Sequence, residues 1–328
     1  MASNININVK NAVIFITVCV VILYFTGIPL LNKQLKFINM KELLSVSIEV
    51  AERGGIRVKT VRESSSLGET SKGKTKEGVN DVLTAGDLQS HLTMMNGFKL
   101  AFPGLKVISE EHTKKTADFK MDTSVPKKNS EEVASLTKTE TVPLADVTVW
   151  IDPLDATKEY SENLRQYVTT MVCVAVKGQP VIGVIHRPFT GETAWAYVGV
   201  GYSSNLKVAK KEDLAKEPHK IIVSMSHAGE VKNLTTKKLG GKVEIVSAAG
   251  AGYKTLEVVK GSVNAYVHTT LIKKWDICAG NAILRAVGGN MTTLKGNQID
   301  YSGAGSPLND KGLLATLADH AKYLIIGT

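Results

Sequence analysis

From Asn11 to Asn32 the chain carries no charged residue, and its apolar body runs from Ala12 to Leu31. A helix rises about 1.5 Å per residue, so this length matches a hydrocarbon core of about 30 Å. A cleaved signal peptide is the alternative, with residues 1–10 as its positive n-region. The apolar run, however, outlasts an h-region of roughly 7–15 residues, and no clean small-x-small cleavage site follows it. A buried core helix would rarely be β-branched and apolar all round. The expectation is therefore a short tail over 1–11, a membrane anchor over 12–32, and a separate body over 40–328. Lys33, Lys36 and Lys41 follow the anchor and only Lys10 precedes it, which leans toward a cytoplasmic body. Two sequons, Asn233-Leu-Thr235 and Asn290-Met-Thr292, have meaning only for a luminal or extracellular one.

That body is long enough for one large α/β domain or two medium ones. Lys and Arg number 40 against 31 Asp and Glu, a net charge of +9 that attracts anionic partners. Aromatics are only 6%, and no zinc-finger spacing, aromatic RNA-binding motif or basic heptad helix is present, which argues against a nucleic-acid polymer. With three cysteines the chain is neither a disulfide-stapled scaffold nor a Cys-rich zinc protein. Cys173 falls in an apolar strand and Cys278 in an apolar helix. Both read as buried free thiols rather than a disulfide or nucleophiles.

Along the body, residues 40–62 read as an amphipathic helix with a break at Gly54-Gly55, and 63–78 as a mobile Ser/Gly/Lys-rich loop. A helix is predicted over 91–101, a short strand over 105–108, and a polar surface insertion over 113–142. Strands follow at 147–151, 167–176, 181–186, 193–198, 220–224, 243–246 and 263–267. Helices follow at 252–259, 275–287 and 311–320. Hairpins and helices mix without a strict βαβ repeat, which points to layered sheets and helices rather than a doubly wound parallel sheet.

Acidic residues at the ends of these elements carry the chemistry. Asp152 and Asp155 follow directly on the apolar strand 147–151, with Pro153 between them. Solvated turn acids are the plain alternative. Two bare carboxylates beside a buried strand would repel and lose hydration unless a cation joined them, and hard divalent ions favour such oxygens. Glu110-Glu111 ends another strand, although it could be an ordinary solvated pair. Asp276 opens an apolar helix, where the dipole alone could explain it. Asp87 could merely cap the helix after it.

Glu110-Glu111, Trp150-Ile-Asp-Pro-Leu-Asp-Ala-Thr157 and Trp275-Asp276 together resemble the three signatures of the lithium-sensitive, magnesium-dependent inositol monophosphatase superfamily. The resemblance spans roughly residue 40 to the C-terminus. Thr84-Ala-Gly-Asp87, Asp155-Ala-Thr-Lys-Glu-Tyr160, Ser224-Met-Ser-His227, Gly250-Ala-Gly-Tyr-Lys254 and Lys273-Lys-Trp-Asp-Ile-Cys278 resemble its 3′(2′),5′-bisphosphate nucleotidase branch. The resemblance implies a layered αβαβα sugar-phosphatase fold behind the N-terminal transmembrane helix. It implies two or three Mg²⁺ per site. Glu110, Asp152 and the Leu154 carbonyl would hold one ion, and Asp152, Asp155 and Asp276 a second.

On the same pattern, Asp87 and Thr157 would activate the attacking water, and the Ala156 and Thr157 amides would support the phosphate. Ser224, His227, Gly250, Lys254 and Asp276 would contact substrate. Lys254 could equally be a solvated helix lysine, and His227 a satisfied structural residue. Ala156 departs from the Gly of the inositol phosphatases. The implied reaction removes the 3′-phosphate of 3′-phosphoadenosine 5′-phosphate. The implied setting is a single-pass type II Golgi membrane protein with a luminal body, glycosylated at Asn233 or Asn290 and able to form a homodimer. An inositol phosphate or polyphosphate phosphatase is the alternative within the family. A non-catalytic anion-binding scaffold is the alternative outside it, and a scaffold has no need of the full acidic set.

Overall fold

The computed structural model describes residue 10, residues 13–18, residue 21 and residues 36–327, apart from 65, 75–79, 113–120, 216, 226–230, 232–234, 236, 237 and 239–242. It divides into two units, Met1–Phe37 and Ile38–Thr328. In the first, the described residues 13–18 are helical and Val13, Ile14, Phe15 and Ile16 are all exposed, Phe15 by 70%. Among the described residues no helix is long and apolar enough to cross a membrane. The anchor expected over 12–32 falls mostly outside those residues.

The second unit begins with helix α1 (Met40–Glu63), capped by the Asn39 side chain, which accepts from the Lys41 and Glu42 amides. Helix α2 (Ala85–Ala101) starts in a capping box between Thr84 and Asp87. The expected break at Gly54-Gly55 does not occur, and α1 runs straight through both residues. A Cβ on Gly54 would lie 2.7 Å from Met94 Sδ and Ser90 Oγ of α2, and one on Gly55 would enter the His186 ring. The pair is there to let neighbours approach, not to bend the helix.

The first sheet contains β1 (Lys106–Ser109), β2 (Val147–Asp155), β3 (Thr169–Val176), β4 (Gln179–Arg187), β5 (Glu192–Tyr197) and β6 (Gly201–Tyr202), lying side by side in chain order. Only β1 and β2 pair in parallel; the remaining neighbours are antiparallel. The second sheet has β7 (His219–Ser224), β8 (Val243–Ala248), β9 (Ala265–His268), β10 (Asn290–Thr292) and β11 (Leu313–Thr316), in the order β8-β7-β9-β11-β10.

Alternation along the strands sets the layers. Val147, Val149, Ile151, Val172, Val174, Ile182 and Val184 pack with Leu43, Val50, Met94 and Phe98 of α1 and α2. From the other face of the same sheet, Trp150, Met171, Cys173 and Ile185 pack with two further helices and with Tyr266 and Ala315 of the second sheet. Those helices are α4 (Ala251–Val259) and α5 (Lys274–Ala286); a one-turn helix, α3 (Thr157–Ser161), lies before them in the chain. Ile221, Val223, Ala265, Val267 and Leu314 cover the far face of the second sheet with Val231, Tyr323 and Ile326. The succession is helix, sheet, helix, sheet, helix.

Three further expectations are corrected. Within 63–78, Thr70–Lys74 pairs antiparallel with Asn80–Leu83, so part of the expected loop is a hairpin. The helix expected over 311–320 is instead strand β11 followed by a short helix, His320–Leu324. Its run Leu313, Leu314 and Ala315 is buried on both faces, which periodicity alone cannot tell from a helix. Finally, Cys173 and Cys278 form a disulfide. β3 and α5 pack with a Cα–Cα distance of 5.6 Å at this pair, within bridging reach.

Candidate active site

In an unbroken strand, residues three apart point to opposite faces, so Asp152 and Asp155 would not share a site. The β2–β3 ladder changes that. Asp152 pairs with Met171 and Asp155 with Thr169, a register shift of one extra residue on β2. Pro153 has no N–H to give the ladder, and the bulge it marks restores phase. Asp152 and Asp155 thus emerge on the same side as the partner residues 169 and 171. Asp155 Oδ2 accepts from the Gly252 amide at 2.9 Å and the Thr169 hydroxyl at 3.2 Å, tying it to the start of α4. Asp152 Oδ1 accepts from the Leu154 amide at 3.1 Å.

Glu110 leaves the end of β1, its amide bonded to the Ile151 carbonyl at 3.2 Å, so the parallel pairing of β1 and β2 brings it to Asp152. Asp276 opens α5, where Oδ2 accepts from the Lys273 amide at 3.0 Å. Carboxylate oxygens of Glu110, Asp152 and Asp276 lie within 4.8 Å of one another. Burial, with the neighbouring Glu110, Asp155 and Asp276 carboxylates, pushes Asp152 well above the usual carboxylate range. Burial and the Glu110 and Asp155 charges do the same to Asp276. A convergence of one buried and two partly buried carboxylates, offering only oxygen donors, fits a hard divalent cation such as Mg²⁺. Two ammonium groups already answer part of that charge: Lys72 of the hairpin pairs with Glu111 and, at 3.1 Å, with Glu110, and Lys273 stands 3.6 Å from Glu110.

Beside the acids sits a second pair. Thr157 Oγ1 donates to Asp87 Oδ1 at 2.9 Å, while Asp87 Oδ2 accepts from the Thr84 amide and hydroxyl at 2.7 and 2.6 Å. Asp87 therefore caps α2 and holds Thr157 at once. Burial, with the Glu110 charge adding to it, raises Asp87 to about 7 even though the Thr84 hydrogen bonds oppose the shift. Ala156, just before α3, is left-handed at φ 68° and ψ 48°, a conformation that costs a non-glycine residue roughly 1–2 kcal/mol. Glu110, Asp152, Leu154, Asp155, Ala156, Thr157, Ser224, Gly250, Lys254 and Asp276 all line one cleft of about 230 Å³. Gly250 has φ 68°, and a Cβ there would strike the Tyr167 carbonyl.

A family model described as the inositol monophosphatase family matches residues 39–325. The chain belongs to the inositol monophosphatase family. It is 51% identical over 290 residues to inositol monophosphatase 3 of Xenopus tropicalis, covering 86% of this chain and 79% of that one. It is 47% identical over 297 residues to the Golgi-resident adenosine 3′,5′-bisphosphate 3′-phosphatase of Mus musculus, covering 88% and 81%. Its fold matches the crystal structures of the extragenic suppressor protein suhB from Bartonella henselae and of CysQ from Bacteroides thetaiotaomicron. The TM-scores are 0.63 and 0.60, at 19% and 20% identity. The suhB match covers 87% of this chain and 96% of that one, and the CysQ match 85% and 98%.

Several sequence expectations acquire positions here. Lys254 is no solvated helix lysine: it is 3% exposed, and burial lowers it to about 8 although Asp155, Glu159 and Asp276 oppose the shift. His227 and Asn233 lie outside the described residues. Asn290 is exposed on β10, the last strand of the second sheet. The described part of 113–142 straps α1, with Ser45 donating to the Lys127 carbonyl and Arg53 pairing with Asp122 at 3.3 Å. No described residue of it lines the cleft. Sequence reasoning missed Lys72, Lys273, Tyr266 and His268. The first two stand against Glu110 and the last two line the cleft. A lysine within a Ser/Gly-rich stretch offers no signal that it turns inward.

Proposed function

We propose that this chain is a Mg²⁺-dependent phosphatase that removes the 3′-phosphate from 3′-phosphoadenosine 5′-phosphate, giving AMP and inorganic phosphate. The reading rests on one observation, Thr157, held from behind by Asp87, set beside the Glu110–Asp152–Asp276 triangle in a single cleft. Glu110, Asp152, Asp155, Asp276 and the Leu154 carbonyl would hold the metal, which when bound supplies charge neutralisation for the phosphate and a lowered pKa for water. Thr157 donates its proton to Asp87 Oδ1, which leaves its oxygen lone pairs to accept from an attacking water and fix its direction. Asp87, raised to about 7, is suited to receive the proton relayed through Thr157 Oγ1. One P–O bond forms from water as the bond to the ribose 3′ oxygen breaks. Lys254 sets a fixed positive charge at the cleft floor, where the second phosphate of a bisphosphate finds a counter-charge.

A Golgi-luminal, membrane-anchored setting is supported by three observations. A relative is named Golgi-resident. The helical residues 13–18 carry exposed apolar side chains. A disulfide lies in the catalytic body, a bond that persists in oxidising compartments. Other relatives are named inositol monophosphatase 3, so the decisive experiment sets the two substrates side by side. Phosphate release with Mg²⁺ should be faster from 3′-phosphoadenosine 5′-phosphate than from inositol 1-phosphate. A preference for inositol 1-phosphate would replace the nucleotide reading while keeping the metal chemistry, and release from neither would sink both.

A further inference from the structure

The ligands of the cleft come from separate stretches of chain, and one face of α2 contacts two of them, the 152–157 stretch and the end of β1 just before Glu110. Asp87, Ser90, His91 and Met94 share that face at helical spacing. Asp87 holds Thr157 at 2.9 Å. Ser90, fully buried, donates its hydroxyl to the Pro153 carbonyl at 2.7 Å. The N–H of that same 153–154 peptide is the donor to Asp152 Oδ1, so the Ser90 hydroxyl fixes the plane that aims both the Asp152 carboxylate and the Leu154 backbone. His91, also buried, places Nδ1 at 2.8 Å from Ser109 Oγ, the residue before Glu110. The close approach of α1 at Gly54 packs directly over Ser90 Oγ and Met94 Sδ.

We infer that Ser90 and His91 are positioning residues for the divalent-cation site, each clamping one of the two parallel strand ends, β2 and β1, that carry its ligands. The inference rests on the metal reading above. Neither residue reaches the cleft itself; each acts through one intermediary, the 153–154 peptide for Ser90 and the Ser109 hydroxyl for His91. Groups that orient ligands from behind typically set metal affinity by 10–100-fold. α2 is therefore a rigid template that aligns β1 with the bulged end of β2.

The test is calorimetric titration of the full chain with Mn²⁺ and Mg²⁺, for the native protein, Ser90→Ala, His91→Leu and His91→Asn, with melting in chelator as the check on folding. Ser90→Ala should weaken divalent binding about ten-fold, and the metal concentration for half-maximal activity should move further than the KM for substrate. His91→Leu should also weaken binding, and His91→Asn, whose amide reaches the place of Nδ1, should recover most of it. If Ser90→Ala fails to fold, the two His91 variants carry the test alone. Folded variants that bind the ions as tightly as the native chain would overturn the inference and leave the metal reading standing. A native chain that binds neither ion overturns both.

Discussion

Asp87 lies 1% exposed with its pKa raised from 3.8 to about 7, which makes its ionisation a cost to the fold. The unfolded chain releases this proton near its ordinary pKa and the folded chain only near 7, so the folded state binds more protons in between. Stability from this residue is then lost as pH rises through that window. At 1.36 kcal/mol per pH unit the loss is about 2 kcal/mol at pH 5 and about 4 kcal/mol at pH 8. Asp87→Asn keeps the shape and removes the charge. Chemical denaturation of the native chain and of this variant, both in chelator, should therefore show the variant gaining about 2–3 kcal/mol relative to native between pH 5 and pH 8. Taking the difference cancels the other titrating groups. His91 and His186, both lowered to about 4 by burial, act in the opposite sense below pH 6.5, and Lys254 does so above about pH 8. The same variant should lose turnover, because it cannot accept the proton held by Thr157. A stability gap that stays level across this range, or shrinks with rising pH, would refute the argument that Asp87 is buried against its own charge.

Asp155→Asn should reduce phosphate release by orders of magnitude while the chain still melts cooperatively, since the amide keeps an acceptor for Gly252 and Thr169 but removes charge from the cation site. A near-native rate would contradict the ligand assignment. Ala156→Gly should stabilise the chain by about 1 kcal/mol in a denaturant midpoint measurement, because glycine adopts the left-handed conformation at little cost.

The chemistry of the site was more legible than its geometry. A β-branched apolar run ending in Asp-Pro-x-Asp marks a strand and an acidic turn from composition alone. That the two aspartates share a side depends on a bulge set by pairing with residues 169 and 171, and no local pattern records it. Glu110 and Asp276 were recognisable as acids at element ends, yet their convergence follows from the parallel pairing of β1 with β2 and the docking of α5. Gly54-Gly55 looked like a break because glycine weakens isolated helices, whereas its neighbours Ser90, Met94 and His186 belong to other segments. Leu313–Thr316 reads as helix from sequence because a strand buried on both faces shows no alternation. Lys72 was invisible, since its partner acids lie far along the chain. The disulfide is hidden for the same reason: its cysteines are 105 residues apart, and only the packing of α5 on β3 brings them together.

That crosslink makes a closed covalent ring of the chain between Cys173 and Cys278. The ring encloses β4 through β9 and all of α4, and Asp276 lies inside it while Asp152 and Asp155 lie outside. A protease that cuts once anywhere within the ring, as in the stretch between β7 and β8, therefore releases nothing: the two fragments stay joined until the bridge is reduced. Within the ring, Asp276 is reached from Cys173 by two covalent paths, backbone and sulfur, so one cut there leaves the other intact; only a cut between Asp155 and Cys173 parts the two sides of the site.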